Sequence, residues 1–297
     1  MRMILSAGFA TLMAFPALAD VTVETAQGSV SLPGAPAKVA ALDLSVVDTM
    51  AALGVTPAGV PDKLYLDYLQ PLAGTAAPVG TLQEPNLEAL AALGPDLIVV
   101  ANRSAAKKDA VAQVAPAIDM TVDGADLIDD AKARLTALAA LFGKETEGRA
   151  LTAEVDGKLA ALADAGRDKG TALVVLTNGP KMSAYGAGSR FGWIYDVTGL
   201  PQAGGPLDKD ASHGDAISHE FIAETNPDWL FVLDRGAAVG ADEPSAQATL
   251  DNELVRQTNA WKNGHVVYLP AGNVYLAPGG YTALTETLDV LAAALAG

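Results

Sequence analysis

An α/β fold of two Rossmann-like lobes, each built on a mainly parallel sheet and joined by one long α-helix, is what this sequence predicts. Three observations carry the prediction. EALAALGPDLIVVANR at 88–103 and EFIAETNPDWLFVLDR at 220–235 follow one pattern without insertion or deletion, 132 positions apart. Each copy reads as an acid opening a short helix, a Pro-Asp turn, an apolar strand and an arginine where the strand stops. Wholly apolar runs of strand length alternate with helical patterns along the chain, the signature of parallel strands covered on both faces. The middle of the chain is helical sequence rather than a low-complexity linker. A length of 297 residues suits about two units at roughly 150 residues each.

The elements follow in order. Residues 1–19 hold Arg2, an apolar run from Met3 to Leu18 and Ala17-Leu18-Ala19 before Asp20, the pattern of a cleavable export signal. The run is too short for a membrane anchor. An N-terminal lobe is expected over 20–144, an interlobe helical segment over 145–168 and a C-terminal lobe over 169–297. Alternation over 21–25 and 29–32, across Gln27-Gly28, reads as an opening hairpin. Strands are expected at 39–44, 97–101, 172–176, 230–233 and 266–269. An amphipathic helix at 126–142 breaks at Gly143-Lys144, and a second runs over 145–165 with Leu151, Val155, Leu159 and Leu162 on one stripe. At 1.5 Å per residue it is about 30 Å long, a stiff joint that lets the lobes rock little; a long surface helix of one lobe is the plain alternative.

Composition removes several classes. There is no cysteine, which excludes disulfides, thiolate metal sites, cysteine nucleophiles and a lipidated cysteine after the signal. The net charge is −16, and loss of Arg2 with the leader leaves 18 basic against 35 acidic residues. Nucleic acid is not an expected partner of so acidic a chain. No G-x-S-x-G, H-E-x-x-H or G-K-[ST] signature occurs, so no enzyme is indicated.

Few residues remain to carry chemistry. Arg103 and Arg235 follow strand ends, the edge where open α/β sheets bind ligands, and at equivalent positions of two lobes they face each other across a cleft. Taken singly, either is more often a surface or ion-paired arginine. Gly186-Ala-Gly-Ser-Arg190-Phe-Gly192 misses the dinucleotide fingerprint by one residue, yet a turn feeding a helix N-terminus can hold an anion; a solvated arginine in a glycine-rich loop is the plain alternative. His213 stands in a polar loop, and Tyr275 follows the last strand as the arginines follow theirs; solvation and packing account for these two as well. Glu88 and Glu220 open their helices, where the dipole favours a carboxylate, and form a spaced acidic pair suited to a basic two-fold partner. An exported metallohydrolase using His213, His219 and Asp215 is the remote alternative, without a third ligand of standard spacing or an evident general base.

These residues resemble a family, the periplasmic substrate-binding proteins of ABC importers that carry ferric siderophores, in its catecholate-binding branch. The resemblance rests on VAALDLSVVDTMAALGV (39–55), VGTLQEPNLEALAALGPDLIVVANR (79–103), SAYGAGSRFGWIYDVTGL (183–200), HGDAISHEFIAETNPDWLFVLDR (213–235) and NVYLAPGG (273–280). It implies a helix-linked bilobal fold and an arginine cluster of Arg103, Arg190 and Arg235 around an anionic iron complex. It further implies His213 and Tyr275 as protein ligands to the Fe(III) of a four-donor siderophore, and Glu88 and Glu220 as acids that dock on the permease. The sequence departs from the family around Tyr65 to Tyr68 and at Val274, where a second aromatic would precede Tyr275. A monomeric, unlipidated periplasmic protein with no intrinsic cofactor is expected, its cargo the Fe(III)-siderophore. A same-fold binder of haem, cobalamin or a hydroxamate siderophore would share the lobes and acids but lacks a reason for the three arginines beside His213 and Tyr275.

Overall fold

The computed structural model describes residues 20–297, so the leader expected at 1–19 lies outside the described residues. The hairpin forms as the alternation predicts: β1 (Val21–Thr25) pairs antiparallel with β2 (Gly28–Leu32). A five-stranded sheet follows, made of β3 (Val39–Ala41), β4 (Gly59–Val60), β5 (Ala77–Pro78), β6 (Leu97–Val100) and β7 (Ala117–Asp119). Its order is β5-β4-β3-β6-β7 and every pairing is parallel. All four residues of β6 are buried, as a strand covered on both faces requires.

The strand expected over 39–44 ends three residues early. Asp43 is extended and its carboxylate accepts from the Ser45 amide at 2.9 Å, so it caps a helix that begins at Leu44 (Leu44–Ala52). A side-chain acceptor placed before helix-forming residues draws the chain out of the sheet, and the apolar run hid that signal.

The second sheet comprises β8 (Ala172–Asn178), β9 (Lys181–Tyr185), β10 (Asp215–Ile217), β11 (Trp229–Asp234) and β12 (Val266–Tyr268), in the order β10-β9-β8-β11-β12. The β8, β11 and β12 pairings are parallel. At the other edge, β9 returns antiparallel on β8, with Asn178 opposite Lys181, and β10 pairs antiparallel with β9. The turn is Gly179-Pro180, and Gly179 has a φ of +56°. Glycine at the first position of a two-residue loop is a recognised hairpin signal, so this edge was readable although 181–185 was not among the strands expected.

Two helices, Leu127–Leu141 and Glu145–Ala165, separate the sheets in sequence. Along the second, Leu151 packs on the cluster formed largely by the first lobe, whereas Val155 and Leu162 are buried in that of the second, with Leu159 against it. The two cores interpenetrate. Leu127 and Ala131 lie in the second cluster, while Leu276, Ala277 and Ala283 from the far end of the chain lie in the first, with Val47 and Met50. Among the described residues no helix is long and apolar enough to cross a membrane.

Candidate functional site

The arginine that ends each repeated segment is delivered by a local device. After β6, Asn102 takes a left-handed conformation, φ +45°, which asparagine tolerates better than most residues. Its amide donates to Thr121 Oγ1 at 2.9 Å and its side chain to Asp43 Oδ2 at 3.2 Å, so the following Arg103 is aimed across the cleft. After β11, Asp234 caps the short helix Arg235–Val239 by accepting from the Ala237 amide at 2.9 Å, leaving Arg235 as the first helical residue. Arg190 lies in the tight turn of 186–192, closed by Ser189 Oγ donating to the Gly186 carbonyl at 2.6 Å.

All three converge on Tyr275, in the helix Ala271–Leu276. Arg103 Nη2 donates to the Tyr275 carbonyl at 2.6 Å and Arg190 Nη2 to the same oxygen at 3.3 Å. Arg235 Nε donates to the Tyr275 hydroxyl at 3.2 Å, and Arg235 Nη1 to Asn178 Oδ1 at 2.9 Å. The guanidinium carbons stand 5.0, 4.8 and 5.9 Å from the tyrosine ring centre for Arg103, Arg190 and Arg235, within the range of cation–π attraction. Among the described residues none of the three makes an ion pair. Three positive charges thus share a half-buried site with a phenol and no carboxylate, in a chain of net charge −16.

The electrostatics follow from that imbalance. Burial lowers the Arg190 pKa and the neighbouring Arg103 charge lowers it further, because both disfavour another cation. Burial would push the Tyr275 phenol up; the hydrogen bond from Arg235 and the charges of Arg235, Arg190 and Arg103 outweigh it, and the phenol is held below the usual tyrosine range. The arrangement is poised to stabilise negative oxygen, either on Tyr275 or on a ligand placed against the arginines.

Two cavities flank this cluster. One, of about 340 Å³, is lined by Asn178, Lys181, Ser183, Tyr185, Arg190, His213, Arg235 and Tyr275 among others. The other, of about 380 Å³, is lined by Asn102, Arg103, Arg190, Phe191, Trp193 and Tyr275 among others. Both fall within the size of small-molecule sites, roughly 300–1,000 Å³. A larger cavity of about 600 Å³ lies beneath the opening hairpin, where Glu24, Asp123 and Asp130 face Arg134. It holds none of the expected ligand residues, and its carboxylates disfavour the anion that the arginine cluster favours, so size does not mark the site here.

Four of the five expected ligand residues therefore meet directly, and exposed His213 lines the first cavity with them. His219 is committed elsewhere, its Nε2 lying 2.8 Å from the Thr249 carbonyl, and Asp215 accepts from the Asp208 amide at 2.7 Å. Glu88 and Glu220 lie apart from the cleft residues, exposed in the first turns of Leu87–Leu93 and His219–Thr225, whose caps are Asn86 and Ser218. Sequence reasoning missed Lys181, Ser183 and Tyr185, which line the cavity from β9, while Met182 and Ala184 between them pack into the core. The signal was the period-two alternation of that strand. It also missed Asn178, which holds Arg235; an amide that ends a strand and opens a turn gives no hint of a partner 57 positions away.

Comparison with known proteins agrees with the fold. Residues 39–272 match the family model described as periplasmic binding protein, Peripla_BP_2. The petrobactin-binding protein YclQ of Bacillus subtilis is 35% identical over 261 residues, covering 86% of this chain and 82% of YclQ. The ferric-anguibactin-binding protein FatB of Vibrio anguillarum is 31% identical over 283 residues, 92% of this chain and 87% of FatB. The crystal structure of the periplasmic catecholate-siderophore binding protein VctP from Vibrio cholerae superposes with a TM-score of 0.86 at 30% identity, over 93% of this chain and all of VctP. With its two α/β lobes and a family match spanning most of its length, the chain belongs to the Peripla_BP_2 family of periplasmic binding proteins.

Proposed function

We propose that this protein captures an anionic ferric siderophore of the catecholate class between its lobes and delivers it to the permease of an ABC importer for iron uptake. The observation that carries this reading is the convergence of Arg103, Arg190 and Arg235 on Tyr275 with no carboxylate to neutralise them. A ferric catecholate supplies the missing negative charge. Its flat rings suit guanidinium stacking and its oxygens suit the guanidinium fork. Fe(III) is a hard cation, so a phenolate oxygen suits it, and the depressed Tyr275 phenol reduces the cost of losing its proton. His213, in the same cavity, provides a second donor for a complex that leaves two iron positions open. The kinship with binding proteins for petrobactin, anguibactin and catecholate siderophores supports the class. The rest of the reading comes with it: a free monomer, exported by a cleaved leader at 1–19 and unlipidated for want of cysteine, with no resident cofactor and no catalysis. Glu88 and Glu220 are its docking acids for the permease.

Intrinsic tryptophan fluorescence titrated with a panel of ferric siderophores tests the class; catecholates are expected to bind tightest, and a preference for haem, cobalamin or hydroxamates overturns it. The coordination role has its own test. Tyr275→Phe combined with His213→Ala is expected to weaken a four-donor ferric catecholate far more than a six-donor one. Equal losses for the two complexes would remove Tyr275 and His213 from iron.

A further inference from the structure

The side chain of Asn178 is oriented by its partner. Asn178 ends β8 and pairs with Lys181 across the hairpin turn. The turn is held from segment 243–249, where Thr249 Oγ1 donates to the Gly179 carbonyl at 2.9 Å and Glu243 packs against Gly179. Arg235 Nη1 donates to Asn178 Oδ1 at 2.9 Å. A guanidinium has donors only, so the oxygen is the one end of the carboxamide that can face it. The amide nitrogen is thereby turned away from Arg235, and among the described residues it has no hydrogen-bond partner. Asn178 lines the cavity of about 340 Å³ together with Lys181, Arg190, His213, Arg235 and Tyr275, and no carboxylate is among the lining residues. A primary amide carries two N–H donors, and here both are left for whatever fills that cavity. Arg235 in turn donates from Nε to the Tyr275 hydroxyl at 3.2 Å. With Nη1 and Nε both engaged, the guanidinium plane is fixed, and the oxygen of Asn178 sets where Arg235 meets the phenol. An aspartate of the same size could accept the same bond, but it would neutralise Arg235 and present a second negative oxygen to an anionic ligand.

We infer that Asn178 is a ligand-binding residue whose Nδ2 donates to an anionic oxygen of the bound chelate while its Oδ1 positions Arg235. This role rests on the ferric-siderophore reading above and deepens it: a neutral carboxamide at the end of β8 adds a donor to the cleft without cancelling any of its positive charge.

The test compares the mature protein with Asn178→Ala and Asn178→Asp. Affinities are read by fluorescence titration for two synthetic ferric complexes, one of two catecholates and one of three, the second being the more negative. Asn178→Ala is expected to weaken both roughly tenfold, the loss of one charge-assisted hydrogen bond. Asn178→Asp is expected to weaken them roughly a hundredfold or more, and the more negative complex most. Without ligand, Asn178→Asp is also expected to move the earliest phenolate step of an ultraviolet titration to higher pH, which a residue that only shaped the turn would not do. Losses in Asn178→Asp no larger than in Asn178→Ala, or a phenolate step that stays in place, would overturn the role. Should Asn178→Asp unfold more readily than the parent in urea, Asn178→Ala decides alone: undiminished affinity for both complexes removes Asn178 from the ligand while the siderophore reading stands. If the parent binds neither complex, the siderophore reading itself fails and the ligand-binding role falls with it.

Discussion

At the scale of single residues, Tyr275 is unusual because a hydrogen bond and three neighbouring charges act on its phenol from segments distant in sequence. The arginines favour the charged form of any oxygen they touch, and for a phenol the charged form is the deprotonated one. The sign is therefore fixed: Tyr275 releases its proton at lower pH than an ordinary tyrosine, which titrates near about 10. Burial drives Tyr68, Tyr195 and Tyr281 the other way. An ultraviolet titration of phenolate is expected to open with a single early step, absent in Tyr275→Phe and moved back towards higher pH by Arg235→Gln. An early step that survives in Tyr275→Phe would belong to another residue. The positions of Arg103 and Arg235 were legible because a strand end followed by an arginine recurs in both lobes. Their meeting point on Tyr275 came from the family resemblance alone and from no local pattern, since Tyr275 lies 172 positions from one and 40 from the other.

At the scale of elements, the C-terminal helix Tyr281–Ala296 begins without a cap of its own, for Gly280 has no side chain to offer. Asp48, from Leu44–Ala52, supplies one instead: it accepts from the Thr282 and Ala283 amides, both at 2.9 Å, and from the Tyr68 hydroxyl at 3.1 Å. A Cβ at Gly280 would sit 2.4 Å from Asp48 Oδ2, so the glycine is what lets the carboxylate reach the helix end. Beside it, buried Arg134 donates to Ser45 Oγ at 2.8 Å and to the Pro278 carbonyl at 3.3 Å. Asp48→Ala removes a helix cap and strands one buried and one half-buried amide, and is expected to cost about 2 kcal/mol in urea unfolding. Tyr68→Phe, which removes one donor only, is expected to cost about 1 kcal/mol. An Asp48→Ala protein as stable as the parent would mean that water caps the helix equally well. This long-range cap marks where sequence reading runs out. Continuous apolar runs exposed β6, β8 and β11 because each is covered on both faces; the two-residue strands β4 and β5 are too short to form such a run, and a cap supplied from 234 positions away has no local signature.

At the scale of the molecule, contacts across the junction bear on what a partner meets. Asp48 to the C-terminal helix, Arg103 to Tyr275 and the interpenetrating cores add to the rod of Glu145–Ala165. Lobes tied at so many points are expected to keep a nearly fixed spacing, and with it the spacing between Glu88 and Glu220. Both residues are exposed, and the Ser218 hydroxyl helps hold the Glu220 carboxyl below its ordinary range. The two acids stand on different lobes, a pair able to register on basic sites in a two-fold permease. Surface charges at a rim act chiefly on association and are weakened by salt. Glu88→Ala with Glu220→Ala is accordingly expected to leave ligand affinity in titration unchanged, to abolish uptake in cells that depend on this importer, and to lose in vitro binding to the reconstituted permease. Each single variant should retain part of the uptake, since one lobe still registers. Uptake that persists in the double variant would place the docking surface elsewhere, whereas a fall in ligand affinity would mean that the two acids act on the cleft rather than on the transporter.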